Sequence, residues 1–244
     1  WGGDIARIRA MVERNHYTTT VLDAEEEQVH RGCEEGILEE IDYTQLNVSP
    51  DELLPGAAHR CGVGSLVWSM VFAYDPSQLA GKNPASWKDF WDVDQFPGER
   101  GLYRGMETNL EIALLADGVA PREVYKQLAT RDGRARAFEK LDALKPYVVW
   151  WQAGAQPVQL LLDGEVVMTS GWNGRLHRAS IPDRPIPVVW RGQLMYFEYW
   201  VIPRGHPNRH LAYKFIELAT RPDRQAEMSR YIPYGPVHRQ WAKF

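Results

Sequence analysis

From Ile5 to Thr220 the chain keeps changing period: stretches with apolar residues three and four apart alternate with short β-branched and aromatic runs. Such alternation places helices against the faces of a sheet, the α/β class with largely parallel strands. Helical spacing covers "IARIRAMVERN", "PREVYKQLAT", "GRARAFEKLDALK", the short "QPVQLLLDG" and the final "NRHLAYKFIELAT", which presents Leu211, Phe215 and Leu218 on one face. "TTTVLDA", "SLVWSMVFAYD", "YVVWW", "EVVMTSGW" and "IPVVW" read as strands, the second as a central one. Local signals mark several starts and stops. Ser49 stands as an N-cap before Pro50, and Ser86 opens a helix in "ASWKDFWD". Thr108 and Glu111 have capping-box spacing in "TNLEIALLADG", with a stop at Gly118.

One further strand, "GQLMYFEYWVIPRG", breaks its own rule by carrying Glu198 in its middle. Period-two alternation points Tyr196, Glu198 and Trp200 to one face and Phe197, Tyr199 and Val201 to the other. Stripping water from a carboxylate is costly, so Glu198 needs either an internal partner such as Arg104 or Arg175, or a cation from outside. Aromatic faces beside a carboxylate suit an ammonium group.

The remaining features exclude more than they assign. The balance of 28 basic and 32 acidic residues, net −4, with no basic stripe, argues against nucleic acid as a partner. Ten Trp and eleven Tyr in 244 residues supply either a Trp-rich core or aromatic walls around a ligand. No apolar run reaches the length of a membrane span, and no signal peptide precedes Trp1, an abrupt start that fits a mature or trimmed chain. Neither GxGxxG nor GxxxxGKS occurs, Ser65 and Ser69 lack a GxSxG elbow, and Glu25, Glu26 and Glu27 form a charge run typical of a solvated loop or a helix start. His206 and His210 in "HPNRH" have metal-ligand spacing but read more simply as a solvated helix end. Cys33 and Cys61 each have a histidine nearby, His30 and His59, so a zinc site is conceivable. The lack of CxxC spacing ranks zinc below a disulfide; two buried thiols are the other alternative. Nothing here is an enzyme signature, and binding without chemistry leads.

Seven blocks in order then carry a family resemblance: "RGCEEGILEEIDY", "CGVGSLVWSMVFAYD", "ASWKDFWDVDQFPGERGL", "EIALLADGV", "VVWWQAGAQPVQLLLDGEVVMTSGWNGR", "YWVIPRGHPN" and "YIPYGP". Together they resemble the extracellular solute-binding proteins of the spermidine/putrescine type, receptor components of ABC importers, over essentially the whole chain. The resemblance implies a type II periplasmic-binding-protein fold: two α/β lobes, each a mixed, mainly parallel sheet flanked by helices. The first lobe would take residues 1–73 and 200–244, the second 74–199, with hinge strands near 70–75 and 196–202. Hinge closure would enclose a polyamine or related cationic amine in the cleft between the lobes. It also implies a periplasmic monomer that hands its solute to a membrane permease, without cofactor, metal or catalysis.

Carried over by position, Trp172 takes the family's ligand-stacking place, Tyr196 an aromatic wall and Glu198 the ammonium-binding carboxylate. Trp1 resembles the ligand-contacting tryptophan after the first strand, and Trp68 and Ser69, ahead of a first crossing near Ala73, are counted among the expected ligand contacts. Glu107, or Thr108, lies near the acidic contact of the second lobe, and Tyr234, with Tyr231, near a further aromatic one. Glu25 and Glu27 occupy the region where the family's first lobe usually offers Ser and Tyr, a departure that makes this pocket more acidic or differently shaped. Two segments of the family pattern, after "WGG" and beyond "YIPYGP", have no counterpart here. The alternative solute is zwitterionic or anionic, an amino acid derivative or phosphonate held through Arg104 and Arg175.

Overall fold

The computed structural model describes residues 5–105 and 107–244. Helix α1 (Ile5–Glu13) buries Ile8 and Met11, one turn apart, and leads to strand β1 (Leu22–Glu25). Glu25 then opens α2 (Glu26–Glu34) with a capping box to Gln28, whose side chain accepts the Glu25 N–H at 3.1 Å. The acidic run is thus a strand end and a helix start. A 3-10 turn at Pro50–Glu52, boxed by Ser49 and Glu52, precedes β2 (Ala58–His59) and the 13-residue β3 (Gly62–Tyr74).

The middle of the chain follows as α3 (Trp87–Trp91), β4 (Arg100–Tyr103), α4 (Asn109–Ala116), α5 (Val124–Leu128), α6 (Arg131–Leu144), β5 (Val148–Trp151), α7 (Gln156–Leu162), β6 (Met168–Trp172) and α8 (Asn173–Ala179). Strand β7 (Val188–Val201) merges the two expected strands "IPVVW" and "GQLMYFEYWVIPRG" into one of 14 residues. Gly192 makes this possible: its φ of +77° bends the strand where the Trp87 indole donates to its carbonyl at 2.8 Å. A Cβ there would stand 2.9 Å from that indole ring. Helices α9 (Arg209–Thr220) and α10 (Pro222–Tyr231) finish the chain.

The chain divides into two compact units, one running to Trp68 and adding Met195–Phe244, the other Ser69–Leu194. The expected boundaries were 73/74 and 199/200; Glu198 and Tyr199 pair with β1 and so belong to the first unit. In the first unit the described pairings, β1 with β7 and β2 with β3, are antiparallel, and the core gathers Ile8, Val29, Val63, Tyr199, Val201 and Ile216. In the second, β3 pairs antiparallel with β6, whereas β4 lies parallel to both β5 and β6. Its core is built on Phe72, Trp87, Phe90, Leu102 and Met168. The architecture is the expected two-lobe α/β one. The pairing is mixed, with more antiparallel neighbours than the helix–strand alternation suggested: β2 and β3 form a hairpin, and β7 and β3 run against β1 and β6.

One local expectation fails, and one apolar face turns outward. The packed face of α9 is Ala212, Tyr213 and Ile216, while Leu211, Phe215 and Leu218 are about half exposed, and Trp200 meets Phe215 edge-on at 5.1 Å. Both stripes are apolar at helical spacing, so periodicity alone could not choose between them. The capping box of α4 is absent: Thr108 sits at φ +71°, outside the extended region an N-cap needs, and its hydroxyl is buried without a partner.

Cys33 of α2 and Cys61, just before β3, form a disulfide across a separation of 28 residues. Both sulfurs are thereby removed as thiolate zinc ligands. His59 Nδ1 already accepts the Cys61 N–H at 3.0 Å, which leaves its proton on Nε2, facing His30 Nδ1 at 3.3 Å. Replacing both cysteines by serine is expected to cost about 3–4 kcal/mol through freed unfolded-state entropy. Melting curves with and without reductant measure this, and equal midpoints would mean that the bridge adds nothing.

Candidate functional site

Each unit presents a cluster of the side chains singled out in the sequence. In the first unit the cluster grows from the β1–β7 ladder. Leu22 and Ala24 face the core, so Asp23 and Glu25 face the other way. The register sets Asp23 opposite Trp200 and Glu25 opposite Glu198. On β7, Phe197, Tyr199 and Val201 are buried, leaving Tyr196, Glu198 and Trp200 on the partly exposed face as the alternation predicted.

Glu198 therefore lies among carboxylates, and no ion pair to it occurs among the described residues. Its side chain hydrogen-bonds that of Asp23. Burial, that hydrogen bond, and the charges of Asp23 and Glu25 push its pKa up to about 9. Two carboxyl groups hydrogen-bond only with a proton between them, so the pair shares one at neutral pH. Like charges directly opposite across a ladder repel, and here the shared proton relieves part of that repulsion. Ser65 of β3 donates to Asp23 Oδ1 at 2.8 Å.

Aromatic rings flank this carboxyl group. Trp68 of β3 stacks on Tyr196 with centroids 4.5 Å apart and planes at 18°. Val67 and Gly235 exchange both backbone hydrogen bonds at 2.8 Å, which sets Tyr234 in register beside Trp68. Gln225 of α10 fixes this last segment, accepting the Val237 and His238 N–H groups at 2.8 and 2.9 Å. The unit thus brings together Trp68, Tyr196, Glu198, Tyr234 and Glu25 from the expected set, and adds Asp23 and Ser65. The signal for Asp23 was present in "LDAE", which alternates apolar and acidic residues with strand period.

In the second unit the cluster is aromatic and basic. Trp172, half-buried at the end of β6, meets the fully buried Trp151 edge-on at 5.7 Å and lies 6.5 Å from Tyr103. The ring is closely seated, since a Cβ at Gly154 would come within 2.1 Å of it. Arg104 directly follows β4, and its N–H donates to the Trp151 carbonyl at 2.7 Å. Arg175 lies in α8, three residues after Trp172, and both arginines are exposed.

The remaining expected contacts have these surroundings. Ser69 is buried, its N–H donating to Asn173 Oδ1 at 2.9 Å. Glu27 is exposed on α2, Glu107 is exposed, and Tyr231 is 75% exposed at the end of α10. Trp1 lies outside the described residues.

Comparison with known proteins gives a consistent result. A family model described as bacterial extracellular solute-binding protein matches residues 1–242. The gamma-aminobutyric acid-binding protein of Pseudomonas aeruginosa is 46% identical over 239 residues, covering 98% of this chain and 67% of that protein. The spermidine/putrescine-binding periplasmic protein of Escherichia coli is 25% identical over 210 residues, covering 82% of this chain and 58% of the relative. A solved GABA receptor superposes with a TM-score of 0.88 at 33% identity, covering all of this chain and 74% of that one.

Proposed function

The chain belongs to the bacterial extracellular solute-binding proteins, and from that premise we propose that it captures a small zwitterionic amine for an ABC importer. The solute class is an ω-amino acid of the γ-aminobutyrate kind. Proteins of this family bind outside the cytoplasm and do not transform what they bind.

The observation that carries the reading is Glu198, hydrogen-bonded to Asp23 and flanked by the Trp68–Tyr196 stack. An ammonium group there gains charge-assisted hydrogen bonds to carboxylates and a cation–π contact worth about 0.5–2 kcal/mol. Arg104 and Arg175 are the groups we assign to the solute's carboxylate, because a planar guanidinium matches that group with two parallel hydrogen bonds.

A polyamine, the leading expectation from the sequence, gives way to its alternative. A diamine has a second ammonium to neutralise, whereas Arg104 and the α8 residue Arg175 are exposed cations. The stronger kinship with a γ-aminobutyrate-binding protein supports the same choice.

Titration calorimetry with γ-aminobutyrate, putrescine and spermidine tests this. Arg104→Gln or Arg175→Gln is expected to weaken γ-aminobutyrate binding at least about tenfold, the effect of losing a charged hydrogen-bond partner, and to spare diamines. A protein that binds only diamines, or is indifferent to both substitutions, returns the assignment to the polyamine class.

A further inference from the structure

We propose that Asn109 is the positioning residue of Arg104: its side-chain amide clamps the backbone on both sides of that arginine and holds the guanidinium ready for the solute's carboxylate. This inference rests on the assignment of Arg104 to the carboxylate, and concerns what keeps that group in place before solute arrives.

The clamp lies wholly within the second unit. Asn109 is the first residue of α4, and Arg104 directly follows β4. The Asn109 Nδ2 group donates to the Tyr103 carbonyl at 2.7 Å and to the Gly105 carbonyl at 2.6 Å. Those two carbonyls flank Arg104 in the chain. A further bond runs outward, from the Arg104 N–H to the Trp151 carbonyl at 2.7 Å. The turn is thus tied on every side, while the Arg104 side chain stays exposed, with no ion pair to it among the described residues.

This turn is not a relaxed one. A Cβ at Gly105 would stand 2.6 Å from the Tyr103 ring, so the turn leaves no room for a side chain there. Thr108 sits at φ +71°, a left-handed conformation that a β-branched residue rarely enters. Strain of this kind persists only where the surroundings over-determine it. Asn109 supplies that determination at a cost to itself, being 3% exposed with its Oδ1 lacking any partner.

An amide buried for packing alone would be better replaced by an apolar side chain, since a hidden acceptor forfeits its bond to water. Nor does this amide cap α4, because it reaches back to the turn rather than to the first N–H groups of the helix. What it sets is the shape of residues 103–105, and the side chain that this turn displays is Arg104. A guanidinium on a long stem matches a carboxylate only when aligned. Anchoring its backbone beforehand removes part of the ordering that binding would otherwise require.

Calorimetry of γ-aminobutyrate binding, together with hydrogen exchange at the Arg104 amide, tests this. Asn109→Ala removes both donated bonds, and Asn109→Asp keeps the shape but sets an acceptor against two carbonyls. In either variant we expect affinity to fall about five- to fiftyfold, the span of coupling within one hydrogen-bonded network. The Arg104 amide should exchange at least about tenfold faster. In an Arg104→Gln background the same Asn109→Ala change should cost less than about twofold, because the group it positions is gone. An equal loss in that background, unchanged affinity in both variants, or unchanged exchange at Arg104 overturns the proposal. So does a wild-type Arg104 amide that exchanges as fast as an open loop, a result that needs no variant to fold. Should Arg104→Gln alone spare γ-aminobutyrate binding, the carboxylate assignment is what fails. The exchange rates then still decide the clamp, which stands if Asn109→Ala releases the Arg104 amide and falls if it does not.

Discussion

Glu198→Gln is expected to weaken binding of an ammonium-bearing solute more than tenfold and, at the same time, to raise the melting temperature of the unliganded protein. The two effects have one origin. In the wild type, burial and the nearby Asp23 and Glu25 push Glu198 up to about 9, far above its value in an unfolded chain. A carboxyl group raised on folding contributes stability that is full below its unfolded pKa and is lost as pH rises through the folded one. At neutral pH the unliganded protein has therefore already lost part of that contribution. Allowing for solvent screening at a partly exposed group, the loss is about 1–2 kcal/mol. Glutamine carries no charge, donates an N–H to Asp23 at every pH, and escapes this loss. The midpoint should rise by about 2–8 °C near neutral pH, given a slope of about 2–4 °C per kcal/mol for a chain of this size. The difference from wild type should shrink as the pH falls toward the ordinary glutamate range.

Binding moves the other way. With glutamine in place, the ammonium group keeps an acceptor but loses a counter-charge in a site partly shielded from water, a change that costs well over tenfold. Thermal melts with and without solute, at two pH values, read both effects together. If the variant melts below wild type while its affinity is unchanged, Glu198 is a structural hydrogen-bonding residue and the site lies elsewhere.

How much of this was legible in the sequence depends on the physical scale of each feature. Strands β3 and β7 and most helices were plain from periodicity, because side-chain spacing along a regular element is a local property. The anomaly at Glu198 was also visible, as a carboxylate inside an aromatic strand. Its partner was not. An internal arginine was the natural expectation for a buried acid, whereas the fold brings Asp23 beside it from a strand some 175 residues earlier. Only strand pairing makes them neighbours, and pairing register is set by whole-sheet packing. Likewise α9 has apolar residues on two adjacent stripes, and the choice of Ile216 over Phe215 for the core is made by what packs against it. Helix α10 was missed, although Pro222 at its first turn is a starting signal, and with it Gln225, which anchors the segment carrying Tyr234.

The least legible residue carries the second large prediction: Arg100→Met should destabilise the second unit by about 3–5 kcal/mol, the range for breaking a buried polar network. In "PGERGLYRG" this arginine looks like any surface cation. In the fold it is wholly buried, and its guanidinium donates to four backbone carbonyls, those of Phe90, Asp92, Phe96 and Gly98. Burial lowers its pKa to about 10, still far enough above neutrality to keep it charged, with Glu99 and Asp92 offsetting part of the penalty. One side chain thus closes the loop between α3 and β4 and satisfies carbonyls that would otherwise be hidden from water. Methionine fills similar volume but donates nothing, leaving those carbonyls to pay desolvation without a partner. Arg100→Lys should fall between the two, because an ammonium keeps the charge but has three donors rather than a planar fork of five. Denaturant unfolding followed by limited proteolysis is the test, with early cleavage expected inside residues 69–194 and ordinary resistance in the rest of the chain. A loss under about 1 kcal/mol, within the range of ordinary surface substitutions, would mean that water reaches those carbonyls. Because β4 leads directly into Tyr103 and Arg104, Arg100→Met should also loosen the backbone that presents Arg104. Its effect on solute affinity should therefore exceed what the shift in unfolding equilibrium alone accounts for.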